Sequence, residues 1–296
     1  MKQITSYLKI DVILWVLLIQ LCILFGFLRP LGIAITLSNF GIFLLILSTV
    51  SITIAGQLIM ALYSNRRIAS LPNSSEKKIF NVFMVSTVVG VAIGFYLSNL
   101  IQKPVFITIY LVISVLFYVY ATYLKSLPLI KNITIAFTVS IVILNVGFFD
   151  LLPAITKQNE TAQRTVFTIL LDYALLIFVL TLIYELLQDY KYLEADTRNG
   201  IRTLPVILKN TVSIKIISSL FLLPIAMISY YLYTYFFSRT WVLIGVLLFI
   251  IAPLMLAAIL LLDKKDVRSL SKSVILLKFA FVSVTLTFIL YPYLIL

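Results

Sequence analysis

Three acidic side chains and one tyrosine stand at helical spacing near the end of a long apolar run. They are Glu185, Asp189, Tyr192 and Asp196, at steps of four, three and four. Residues three and four apart share one face of a helix, so this spacing predicts a helix presenting all four together. The stretch from Tyr184 to Leu208 reads YELLQDYKYLEADTRNGIRTLPVIL and also holds Lys191, Arg198 and Arg202. Carboxylates on one face with cations close by suit a Mg2+ bridged to a phosphate, since Mg2+ is held by one or two carboxylates plus substrate phosphate oxygens. The same pattern describes an ordinary solvated helix end with balanced charges, and spacing alone leaves both readings open. The chain has no histidine, so acid–base work falls to carboxylates, tyrosines, lysines or water.

The elements that must position these groups follow from composition. Of 296 residues, 62% are hydrophobic and 11% charged, against about 25% charged in soluble domains. That excludes a water-soluble globule. In hydrocarbon the backbone must satisfy its own hydrogen bonds, which leaves helix bundles and closed barrels. The apolar runs lack the period-two alternation of barrel strands, so the expected fold is an all-α integral membrane protein. At roughly 20 apolar residues per crossing, the sequence predicts about nine spans, near 10–28, 37–63, 80–97, 105–123, 133–152, 166–187, 212–237, 241–262 and 274–294. They form one transmembrane helical domain, 1–296, with cap loops at 64–79 and 188–211.

The net charge of +12 fits membrane topology better than nucleic acid, because the basic residues sit in short loops between spans. With the N-terminus inside, 17 lysines and arginines fall on the cytoplasmic side and 5 outside. The positive-inside bias therefore predicts a multi-pass protein of the cell (inner) membrane with a cytoplasmic N-terminus. The first apolar run is long and has no clear small-residue cleavage site, so it reads as a span rather than a removed leader. The lone Cys22 reads as packing, Gly90 and Gly94 as a small-xxx-small contact. Tyr230, Tyr231, Tyr233, Tyr235, Tyr291 and Tyr293 read as an interfacial aromatic belt.

The stretch after the sixth span resembles the second aspartate-rich motif of the UbiA-type membrane prenyltransferases. That pattern is roughly E-x-x-x-D-x-x-D-x-x-x-D followed by G-x-[RK]-T-[LF]-P. Glu185, Asp189 and Asp196 match the acidic positions, Gly200, Arg202, Thr203, Leu204 and Pro205 the tail, and Tyr192 replaces the middle aspartate. The segment from Tyr123 to Asn132, the nine spans and the placement of the large loops are similar to the family as well. The resemblance implies transfer of a prenyl group from an isoprenyl diphosphate to a lipophilic acceptor, aromatic or lipid. It implies Mg2+ held by Asp189 and Asp196 with Glu185 in support. It also implies that Lys125, Asn132, Arg198 and Arg202 surround the diphosphate.

The first motif departs from the family pattern A-G-x-x-x-N-D-x-x-D-x-x-x-D. Met60 stands for the asparagine, and Ala61, Ser64 and Ile68 for the aspartates; no acid lies between Asp11 and Glu76. One Mg2+ site is therefore expected rather than two. Arg66 and Arg67 either stand in for the missing metal, as arginine's planar fork binds phosphate well, or simply anchor the loop on the cytoplasmic side. Alongside the enzyme stands a catalytically inactive relative that binds lipid phosphate or serves as a scaffold. A secondary transporter fits less well: the sequence has no internal repeat and few polar residues in mid-span.

Overall fold

Runs of Leu, Ile, Val and Phe favour helices that satisfy their own backbone in an apolar solvent. The computed structural model describes residues 8, 10–63, 73–198, 200–208, 210–263 and 267–295. Among these residues nine helices are long and apolar enough to cross a membrane. They are α1 (Ile10–Leu28), α2 (Asn39–Leu62), α3 (Glu76–Leu100), α4 (Pro104–Thr122), α5 (Ile130–Ala154), α6 (Glu160–Lys191), α9 (Thr211–Phe236), α10 (Thr240–Leu262) and α11 (Arg268–Tyr293). Two short helices, α7 (Leu193–Arg198) and α8 (Leu204–Ile207), lie between α6 and α9. All nine expected spans are present; α3, α5, α6 and α11 run longer than their apolar cores, and α2 is slightly shorter than expected.

The helices fall into two compact units. One comprises Met1–Lys125, Ile141–Leu171 and Tyr291–Leu296, the other Ser126–Ser140 and Asp172–Leu290.

In the first unit, close approach of α3 to α2 and α4 depends on Gly90 and Gly94. A Cβ on Gly90 would come within 2.7 Å of Ile52, and one on Gly94 within 2.5 Å of the Tyr110 ring. The connector between α1 and α2 is pinned from α5: Asp150, fully buried, accepts from the backbone N–H of Thr36 at 3.0 Å and of Leu37 at 2.7 Å. Ser38 then caps α2 by accepting from the Gly41 N–H.

The same unit holds a polar network that its apolar sequence conceals. Thr49 accepts from Gln20 at 2.9 Å and from Asn145 at 3.0 Å, while Asn145 also donates to the Tyr110 hydroxyl, itself 2.7 Å from Ser48. All five side chains are buried. Mid-span polar groups are therefore richer here than hydropathy suggested, because in low dielectric each survives by finding a partner across helices. Tyr291 is a second difference: it is buried, edge-on to Phe27 at 5.3 Å, so it belongs to the packing and not to an interfacial belt.

In the second unit Ser218 of α9 donates to the Ala258 carbonyl of α10, and Ser273 of α11 to that of Ala257. Tyr230, Tyr233, Tyr235 and Tyr293 are exposed, as a belt requires.

Candidate functional site

Helix α6 carries the acidic stretch outward and stops at Lys191; Tyr192 is a turn, and α7 starts at Leu193. The helix expected to carry Glu185, Asp189, Tyr192 and Asp196 is thus interrupted at Tyr192, although the Tyr192 N–H still reaches the Gln188 carbonyl and the Asp196 N–H that of Tyr192. Asp189 and Asp196 are buried and Glu185 is half-buried, whereas Tyr192 is exposed, with the Lys191 ammonium 5.8 Å from its ring centre.

The glycine of the tail is required by its backbone conformation. Gly200 has φ +67°, its N–H reaches the Thr197 carbonyl at 3.3 Å, and the Ile201 N–H reaches the Asp196 carbonyl at 2.9 Å. This pair of bonds is a Schellman closure of α7, which needs a residue in the left-handed region. A Cβ on Gly200 would meet nothing within 4 Å, so backbone freedom and not space demands glycine. Thr203 then starts α8 with extended backbone, and Pro205 sits in its first turn, where a missing N–H costs nothing.

Asp189 is engaged from α5. The Lys131 ammonium lies 2.5 Å from its Oδ1, and the Asn132 amide donates to its Oδ2 at 2.9 Å. Asn132 is 1% exposed, and the side chains of Lys131 and Asp189 are 13% and 8% exposed. The Asn132 amide must present its nitrogen to the carboxylate, since the reverse would set oxygen against oxygen; its own Oδ1 has no partner among the described residues. The turn that delivers these residues is strained: Leu129 has φ +66°, a region β-carbon-bearing residues seldom enter.

Lys125 donates to the carbonyl of Tyr63, the last residue of the α2 turn, and lies 5.8 Å from that ring's centre. A cation at a helix C-terminus meets exposed carbonyls and the negative end of the dipole; burial pushes the Lys125 ammonium below the usual lysine range. Arg198 faces Glu194 at 3.9 Å with both side chains in solvent, a pair of little energetic weight, and Arg202 is exposed. Arg66 and Arg67, with Ser64 and Ile68, lie outside the described residues. The α2 end that precedes them is packed: Ala55, Leu58, Ile59, Ile79, Phe83 and Ala121 form a buried apolar cluster, with Leu62 and Tyr63 against it.

Lys131 is the residue that sequence reasoning missed. It counted as one more basic loop residue, yet its neighbour Asn132 was already a candidate, and an amide next to a lysine at a helix start was the available signal.

Comparison with known proteins decides the kinship. The model of the UbiA prenyltransferase family matches residues 59–284. The chain belongs to the UbiA prenyltransferase family. A curated relative, digeranylgeranylglyceryl phosphate synthase of Methanobrevibacter smithii, is 26% identical over 140 residues. That match spans about half of each protein, 47% of this chain and 46% of the relative. A solved structure of a digeranylgeranylglyceryl phosphate synthase in membranes superposes with a TM-score of 0.66 at 17% identity, covering 99% of both chains, and shows that the fold is shared. This UbiA-family protein is accordingly a multi-pass membrane protein of helical architecture.

The Mg2+ that the family implies can be tested against this donor set. Mg2+ demands near-octahedral oxygen ligands at about 2.0–2.1 Å. Among the described residues no three Cys, Asp or Glu side chains gather to hold an ion, and both oxygens of Asp189 are already in hydrogen bonds. With the Lys131 ammonium at Oδ1 a Mg2+ there would meet a fixed positive charge, so Asp189 as arranged does not fit a resident Mg2+.

Proposed function

We propose that this UbiA-family protein is an intramembrane prenyltransferase with an altered cation site. It moves a prenyl group from an isoprenyl diphosphate to a lipophilic acceptor, with its N-terminus on the cytoplasmic side of the cell membrane. The observation that carries this reading is the buried carboxylate Asp189, held by Lys131 and Asn132 in the stretch that resembles the family's second acidic motif. Asp196 and Glu185 complete the acidic set. Arg198, Arg202, Lys125 and the pair Arg66 and Arg67 are the positive groups assigned to the diphosphate.

In the reaction the bond between prenyl C1 and the diphosphate oxygen breaks, and the acceptor's nucleophile forms a new bond to C1 and loses its proton. Fixed cations stabilise the departing diphosphate, and that electrostatic term is usually the largest in such catalysis. One Mg2+ at most belongs to this reading, and not on Asp189 while Lys131 holds it. The name of the curated relative speaks of a lipid phosphate, which favours a lipid acceptor over an aromatic one.

A second reading has its own support: no acid lies between Asp11 and Glu76, and the α2 end is an apolar plug. On that reading the protein binds a lipid phosphate or a partner without turnover. Radiolabelled isoprenyl diphosphates of several chain lengths, offered to the protein in lipid with aromatic or glycerol-phosphate lipid acceptors, separate the two. Labelled product that disappears in Asp189→Ala supports transfer; no product with any acceptor, alongside retained diphosphate binding, favours the second reading.

A further inference from the structure

We infer that Lys131 is a built-in cation that takes the place of a metal ion at Asp189, so that this site binds the headgroup of an isoprenyl diphosphate without a divalent cation. This rests on the proposed diphosphate chemistry of the site and names how the anion is held.

A metal bridging a protein carboxylate to a phosphate sets positive charge between two groups that repel. At Asp189 that charge is already present and covalently attached. The ammonium lies 2.5 Å from Oδ1 and Asn132 donates to Oδ2 at 2.9 Å, so a divalent ion on this carboxylate would have to sit against the fixed positive charge of Lys131. An ammonium has three donors, and Asp189 is the acceptor it has among the described residues. With 13% of its side chain exposed, Lys131 keeps N–H groups for an incoming phosphate oxygen. Lysine binds phosphate as a point charge, so no particular geometry of the anion is needed.

The neighbouring chain agrees with a fixed role. Leu129 adopts φ +66° just before α5 begins, a strained turn of the kind that persists where the surroundings over-determine a conformation. It brings Lys131 and Asn132 together onto one carboxylate. The sequence from residue 12 to residue 75 contains no acid that a second ion could use, so dependence on metal is weakened from that side too.

The test uses the full-length protein in lipid nanodiscs and farnesyl diphosphate as probe, with inorganic pyrophosphate as competitor. Binding is measured in EDTA and in Mg2+ for wild type, Lys131→Met and the double variant Lys131→Met/Asp189→Asn. Wild type is expected to bind with nearly the same Kd in both media. Lys131→Met is expected to bind about tenfold or more weakly in EDTA, the worth of a charge-assisted hydrogen bond, and to recover in Mg2+ because Asp189 is freed to hold the ion. The double variant, with neither charge, keeps the local shape and is expected to stay weak in both media, which separates misfolding from loss of the cation.

Wild-type binding that requires Mg2+, or a Lys131→Met protein that binds as wild type in EDTA, overturns the inference and leaves the transferase reading standing. Absence of binding by folded wild type in either medium overturns both. Metal-free binding without transfer to any acceptor supports the inference and removes the transferase reading.

Discussion

The ammonium of Lys131 and the carboxylate of Asp189 stand 2.5 Å apart across two helix ends, each side chain nearly buried. One charge enters from the first turn of α5, the other from the last turns of α6, and Asn132 completes the carboxylate's shell. Neither charge is well hydrated, so each depends on the other. Removing one partner of such a pair leaves an uncompensated charge, whereas replacing both is far milder.

Lys131→Met is therefore expected to destabilise the protein by about 2–3 kcal/mol, below the usual cost of a fully buried pair because the site borders water. Lys131→Met/Asp189→Asn is expected to recover most of that loss. Thermal unfolding in detergent measures both, and equal melting temperatures for the single and double variants would contradict a coupled pair.

Gly200→Ala is expected to cost about 1–2 kcal/mol locally, since a Cβ is disfavoured in the left-handed region that Gly200 occupies at φ +67°. Gly200→Asn, which tolerates that region better, is expected to lose less. Hydrogen exchange at the Gly200 and Ile201 amides reads the Schellman bonds directly; unchanged protection in the alanine variant would show that the turn does not depend on glycine.

The Lys125 ammonium is desolvated beside Tyr63, which lowers its affinity for a proton relative to the unfolded chain. The folded state then binds fewer protons than the unfolded state between the lowered value and the ordinary lysine value of about 10.4. Stability contributed at Lys125 must rise with pH across that window and is smallest below it, where both states are protonated. Melting temperatures of wild type and Lys125→Met, taken from pH 7 to 10.5, are expected to shift in wild type's favour as pH rises. A difference that is flat or moves the other way would refute the assignment.

Tyr110→Phe removes a hydroxyl that is 2.7 Å from Ser48 and accepts from Asn145 at 3.0 Å. Leaving those buried groups short of a partner is expected to cost about 1–3 kcal/mol. Asn145→Ala, which strips donors from both Thr49 and Tyr110, is expected to cost at least as much. The double variant should lose less than the sum of the two, and strict additivity in a double-mutant cycle would argue against a shared network.

By itself the sequence determined the membrane, the nine crossings and the family. Those follow from properties local in the chain: the length of each apolar run, which hydrocarbon thickness fixes, and the E-x-x-x-D and G-x-R-T-L-P spacings around Asp189 and Gly200. It also determined that Gly90 and Gly94 pack closely, because small side chains four apart leave few other uses. What it did not determine was which charges meet. Lys131 and Asp189 are 58 positions apart, and Asn145 and Thr49 are 96 apart; no periodicity links them. Tyr192 and Tyr291 show the same limit from the other side. Spacing put Tyr192 on the acidic face and Tyr291 in a belt, but Tyr192 is the exposed residue between α6 and α7, and contact with Phe27 drew Tyr291 inward. In an apolar interior a polar or charged group must be paired by whatever the fold brings within reach, and only the tertiary structure supplies that partner.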